Sequence, residues 1–219
     1  MSQRSVPLVG LIGGIGSGKS TVADLTAKML RGVRIDADAT GHAALQQPAI
    51  KRRVRAAFGA EVFDENNQVI RANLAAKVFG SDAASIENRA VLNSIVHPWI
   101  RMRHLAEIER LADSDECNII LLDAAVLLEA GWGELCDVIV FIDVPESIRL
   151  QRVASRGWTS AELQRREASQ LPLDEKRAKS HFVVDNSKTA EFAATQLASF
   201  LTTRFQLHSH SSDLATSVV

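Results

Sequence analysis

The residues best equipped for chemistry lie close to the amino terminus. Gly13-Gly14-Ile15-Gly16-Ser17-Gly18-Lys19-Ser20 satisfies G-x-x-x-x-G-K-[ST] at every fixed position. Glycines let such a loop curl so that successive main-chain N–H groups point inward and form an anion nest. A helix beginning near Lys19 adds unpaired N–H groups and the positive end of its dipole. In this P-loop, Gly14, Gly16, Ser17 and Gly18 cradle phosphates and Lys19 reaches the β- and γ-phosphates. Ser20 offers a hydroxyl to Mg²⁺ and Thr21 can bond the α-phosphate. The expected ligands are ATP and Mg²⁺.

Acids and arginines further along suit phosphoryl transfer, in which a protein mainly positions groups and offsets charge. Asp36 and Asp38 are two apart, so both face one way if extended geometry persists through them. Asp38 is the candidate base for an attacking hydroxyl, and Asp36 could help hold the magnesium shell or the substrate. Alternatively, one of the two caps the helix that follows. Asp123 ends an apolar run as a Walker-B-like metal acid, and Glu129 is a further candidate. Arg149, Arg152 and Arg156 are spaced for one helix face. With Arg165, Arg166 and Lys176 they suit a lid that brings an arginine over the transferring group. Lys51-Arg52-Arg53-Arg55 reads as a solvated helix face. A guanine-selecting NKxD is absent, and Asp38-Ala39-Thr40-Gly41 matches DxxG too soon after the loop to leave room for a switch segment.

The elements that must position these groups alternate. Short apolar runs at 6–12, 33–35, 118–123, 137–143 and 182–184 predict strands, several ending in an acid, as buried parallel strands do. Helical spacing follows at 19–30 (through Val22, Leu25, Met29 and Leu30), 146–156, 160–169 and 189–205. Residues 39–113 read as mainly helical, with helices near 50–58 and 71–79 and a longer one broken or restarted at His97-Pro98. This is an α/β pattern: a three-layer P-loop NTPase fold with a parallel sheet, an inserted helical substrate region and a helical lid. The core comprises 1–39, 114–144 and 181–205, the insertion 40–113 and the lid 145–180. Residues 206–219 lose periodicity and read as a mobile tail in which His208 and His210 are solvated rather than metal-binding.

The 219 residues are 46% hydrophobic and 23% charged with a net charge of -1, so no whole-molecule attraction to nucleic acid or membrane is expected. Aromatic residues make up 5% with no tyrosine, which offers little for base stacking. Cys117 and Cys136 form neither a metal spacing nor a redox pair. With no export signal or membrane-spanning run, the expected setting is cytoplasmic, as a monomer or weak homo-oligomer.

Over roughly residues 8–200 the chain resembles the dephospho-coenzyme A kinase family. The resemblance rests on GGIGSGKSTVA, Ile35-Asp36-Ala37-Asp38, Phe58-Gly59, Arg71 with Leu74 and Phe79, Val96-His97-Pro98, Leu127-Leu128-Glu129, Arg152 with Arg156, and Gln170, Lys176 and Asn186, in that order. It departs from the family at Ala125, where proline is usual, at Ser180-His181 and at Arg149. The resemblance implies ATP-dependent phosphorylation of the ribose 3'-hydroxyl of 3'-dephospho-CoA. It also implies that 40–113 binds the CoA moiety and that Arg71 and His97 lie in or near the acceptor pocket, with Asp36 and Glu129 as further substrate contacts. A kinase of the nucleoside monophosphate type, or a nucleotide-dependent switch, are the competing expectations.

Overall fold

The computed structural model describes residues 5–80 and 82–207; most of the expected tail, including His208 and His210, lies outside them. Five parallel strands form one sheet in the order β2-β3-β1-β4-β5. They are β1 (Leu8–Ile12), β2 (Gly32–Asp36), β3 (Ile119–Asp123), β4 (Val138–Asp143) and β5 (Phe182–Asp185). Every residue of β1 and β3 is buried, which explains their unbroken apolar character.

Alternation along the strands divides the core in two. Val9, Leu11, Leu121, Val140 and Ile142 face α1 (Lys19–Leu30) and, at the far end of the chain, a helix at Ala190–Phe205. Leu8, Ile12, Ile120, Leu122 and Phe141 face the inserted helices. The layers are thus helix, sheet, helix, as expected. The α1 face departs from the spacing read in the sequence: it buries Val22, Ala23, Thr26 and Ala27, while Met29 is 50% exposed.

The insertion contains α2 (Ala37–Ala44), α3 (Pro48–Phe58), α4 (Arg71–Val78) and α5 (Ala83–Ala112). The expected break at His97-Pro98 does not occur, because α5 runs through Pro98 for 30 residues, about 45 Å. An interior proline costs about 3 kcal/mol. Ile95, Val96, Ile100, Ile108 and Leu111 form a buried stripe on both sides of it, and stopping the helix there would expose half of that stripe. Pro98 itself faces outward.

After β4 come α6 (Glu146–Ala154), α7 (Ser160–Glu167) and α8 (Leu173–Ala178), then β5 and α9 (Ala190–Phe205). The sequence pattern had not indicated α8. It had also run α6 to Arg156, whereas the helix stops two residues earlier and Gly157 turns the chain at φ 80°. No helix among the described residues is long and apolar enough to cross a membrane. Cys117 is buried and Cys136 half-buried, and neither forms a disulfide among the described residues.

Candidate active site

The glycine loop leaves β1 and enters α1 across the carboxyl end of the sheet. Gly16 and Gly18 take φ of 79° and 83°, which L side chains rarely adopt. A Cβ at Gly18 would also stand 2.7 Å from Asn186 Nδ2. The back of the loop is held from outside. Asn186 Nδ2 and Arg152 Nη1 donate to the Ser17 carbonyl at 2.7 and 3.0 Å, and Arg152 Nη2 donates to the Asn186 carbonyl at 3.2 Å. A trans peptide sends its N–H opposite its C=O, so pinning this carbonyl outward turns the Gly18 N–H inward. Gly18 caps α1 without a side-chain bond, and the first turn holds no acid. The donors of that turn and its dipole therefore suit an anion.

Lys19 lies along the inside of the loop. Its Nζ donates to the Gly13 and Gly14 carbonyls at 3.0 and 3.1 Å and to Ser17 Oγ at 3.4 Å. Burial lowers its pKa to about 8, opposed by the nearby carboxylates of Asp123 and Asp38. Ser20 and Thr21 are exposed on the first turn of α1.

Asp36 and Asp38 do not share a strand face. The strand ends at Asp36, whose Oδ1 accepts from the Ala39 N–H at 2.8 Å and caps α2; Asp38 lies inside the first helical turn. The capping alternative is therefore correct for Asp36. Burial works against ionised Asp36, but the Ala39 amide and Arg34 outweigh it and hold its carboxyl below the usual range. Asp38 behaves oppositely. It is exposed to solvent, yet the surrounding protein and the Asp123 carboxylate push its pKa up, with Lys19 pulling the other way. His42, one turn on from Asp38, approaches Arg71 Nη2 through Nε2 at 2.6 Å. The structure thereby joins Arg71 to the Asp38 side of the cleft.

Asp123 ends β3 with its side chain 7% exposed and meets Arg34 Nη1 at 3.2 Å. Arg34 was not among the residues singled out from the sequence. The available signal was a cation within a strand, two residues before an acid.

His97 belongs to a different recess, of about 400 Å³, which it lines with Asn93, Pro98, Arg101, Ala130 and Trp132. Its ring lies 5.9 Å from the Trp132 ring, and burial lowers its pKa. His104 stands edge-on to Trp132 at 4.9 Å and burial takes its pKa to about 4. A larger recess, about 970 Å³, opens by Pro7, Arg31 and Asn118, at the amino ends of the strands and away from these groups.

The arginines diverge. Arg149 is buried against the loop and pairs with Glu167. Arg152 buttresses the loop as described, and Arg156, past the end of α6, is exposed rather than on the same helix face. Arg165 pairs with Glu162 at the surface. Arg166 is sandwiched between the rings of Trp158 (4.2 Å) and Phe79 (4.9 Å), linking the 146–178 segment to the end of α4. Glu129 is occupied within the scaffold: Oε1 accepts from the Leu171 N–H at 2.9 Å and meets fully buried Lys176 at 2.9 Å. Lys176 also donates to the Ala125 carbonyl and Gln170 Oε1, both at 2.8 Å. These surroundings favour a structural role for Glu129 over the expected substrate contact.

A parallel sheet with a complete phosphate loop on its central strand and an acid beside that loop defines a P-loop kinase. The dephospho-CoA kinase family model matches residues 7–191. A dephospho-CoA kinase of Geobacillus kaustophilus is 36% identical over 195 residues, covering 88% of this chain and 94% of the relative. A solved Thermus thermophilus structure superposes with TM-score 0.75 at 30% identity, covering 90% of this chain and 97% of its own. The Campylobacter jejuni dephospho-CoA kinase structure shares the fold, with TM-score 0.64 at 21% identity, 90% of this chain and 98% of that one. The chain belongs to the dephospho-CoA kinase family.

Proposed function

We propose that this enzyme transfers the γ-phosphoryl group of ATP to the ribose 3'-hydroxyl of 3'-dephospho-CoA, giving CoA and ADP. The observation that carries this is a complete phosphate loop with Asp38 close enough to Lys19 and Asp123 to be electrostatically coupled to both. In this reading Gly14, Gly16, Ser17, Gly18, Ser20 and Thr21 grip the triphosphate, and Lys19 offsets charge on its β- and γ-phosphates. Asp38 takes the proton of the attacking hydroxyl. Its raised pKa makes it a better proton acceptor than an ordinary carboxylate.

Magnesium, when bound, offsets charge between the β- and γ-phosphates. The donor set suits it: the Ser20 hydroxyl and the Asp123 carboxylate are hard oxygen ligands. Such an ion would keep waters and substrate phosphates as its other ligands. Arg152 and Arg156 are proposed for the nucleotide side of the lid, residues 145–180, because Arg152 already lies against the loop. Residues 40–113 are proposed to hold the CoA moiety. Arg71 sits on the Asp38 side, and His97 and Trp132 line a recess that suits an apolar or heterocyclic part of the acceptor. Cys117 and Cys136, not joined by a disulfide, accord with the proposed cytoplasmic setting.

An acceptor panel of dephospho-CoA, AMP, CMP and shikimate, followed by ADP release, tests the substrate. Phosphorylation of dephospho-CoA alone is expected. Turnover of AMP without dephospho-CoA would transfer the enzyme to the nucleoside monophosphate kinases, a reading its family membership does not favour.

A further inference from the structure

Arg34 has no role in the assignments above, yet it meets more charged partners than any neighbour in the cleft. Residues 34 and 36 lie on one face of β2, and in the parallel register Asp36 stands opposite Asp123. Adjacent strands are about 4.8 Å apart, so this register sets two carboxylates side by side, where like charges repel. Arg34 lies between them. Its Nη1 donates to Asp36 Oδ2 at 2.9 Å and to Asp123 Oδ2 at 3.2 Å. Its Nε donates at 2.6 Å to Asp24 Oδ1, on α1. The third contact matters because a guanidinium is planar: fixing Nε fixes the direction of Nη1 as well. The side chain is 21% exposed, which limits competition from water.

The other oxygen of Asp36 accepts from Ala39 and sets the start of α2, the helix that carries Asp38. A single guanidinium therefore ties α1, the ends of β2 and β3, and the first turn of α2 together.

We propose that Arg34 is a positioning residue for phosphoryl transfer, holding Asp38 and Asp123 at a fixed separation through the carboxylates of Asp36, Asp123 and Asp24 while touching neither reactant. The proposal rests on the roles given above to Asp38 and Asp123. Arg34→Met removes all three contacts and keeps the stem. Arg34→Lys keeps the charge, but a single ammonium cannot reproduce the planar fork. In the Met variant kcat is expected to fall about 10- to 100-fold, the scale of a misplaced catalytic group, with KM for ATP and dephospho-CoA within about threefold of the parent. Amide hydrogen exchange at Ala39 should quicken about tenfold while that of the α1 core stays unchanged. The Lys variant should recover the parent's melting temperature but only part of its kcat.

A Met variant with parental kcat, or with parental exchange at Ala39, would overturn the proposal. So would losses of kcat in both variants that merely track the folded fraction. If the parent enzyme itself fails on dephospho-CoA, the functional reading falls instead, and exchange at Ala39 still decides whether Arg34 positions α2.

Discussion

At each wing of the sheet two aspartates stand side by side at the strand ends: Asp36 beside Asp123 on β2 and β3, and Asp143 beside Asp185 on β4 and β5. On the first wing the acids share one guanidinium, Asp123 is almost fully buried, and Lys19 and Asp38 lie close enough to shift one another's ionisation. On the second wing each acid is satisfied separately and near water. Asp143 pairs with exposed Arg177, and Asp185 accepts from the Ser187 N–H at 2.8 Å within its own turn. A strand that ends in aspartate is thus not by itself a candidate for chemistry. Burial and coupling to other charges separate the wings where residue type cannot, and the roles proposed above fall on the coupled wing.

The most direct way to break this contrast is Asp38→Asn, which keeps the shape and removes the proposed proton acceptor. We expect kcat to fall about 10²- to 10⁴-fold with ATP affinity retained, measured by steady-state kinetics and calorimetry; an unchanged rate removes Asp38 from the mechanism. Asp123→Asn should cost less, about 10- to 100-fold in kcat, and should raise the magnesium concentration needed for half-maximal rate.

The pH profile sharpens the coupling. With its pKa raised by the protein packed around it and by Asp123, Asp38 takes up a proton on acidification earlier than an ordinary carboxylate, so if Asp38 is the base the acid limb of kcat/KM is expected above the usual carboxylate range. Asp123→Asn removes one of the raising influences and should move that limb to lower pH. The folded state binds this proton more readily than the unfolded state. Its contribution to stability is therefore complete below the unfolded pKa and is lost as pH rises through the folded value. Asp38→Asn should accordingly melt higher than the parent at neutral pH in a thermal scan.

The smallest effects belong to the second wing. Asp143→Asn and Asp185→Asn should leave kcat within about threefold of the parent, and Asp143→Asn should cost no more than about 1 kcal/mol in denaturant titrations, as exposed ion pairs do. A large loss of kcat from either would erase the distinction.

Local signals carried the sheet and the phosphate loop well. The loop's glycines, the apolar runs of β1, β3 and β4, and the onset of α1 at Lys19 are properties of neighbouring residues, and the structure reproduces them. What escaped depends on distant partners. Pro98 forecasts a break on local grounds, but the stripe buried by α5 overrides it. Asp36 and Asp38 look like a strand-face pair until Asp36 turns out to end the strand and cap a helix. Arg34 has meaning only once Asp123, 89 residues away in the chain, and Asp24, on α1, join neighbouring Asp36 around it, and Glu129 only once Lys176 is seen buried against it.

The Trp158–Arg166–Phe79 sandwich has a practical consequence. The chain contains 3 tryptophans and no tyrosine, so emission excited at the long-wavelength edge of the aromatic band comes from indoles alone. Trp132 sits 3% exposed in the core, whereas Trp158 is at the junction between the 146–178 segment and α4. Any parting of Arg166 from Phe79 alters the polarity around that indole and shifts its spectrum. Comparison with Trp158→Phe isolates this signal, giving an unlabelled optical test of whether these two parts of the protein separate during turnover.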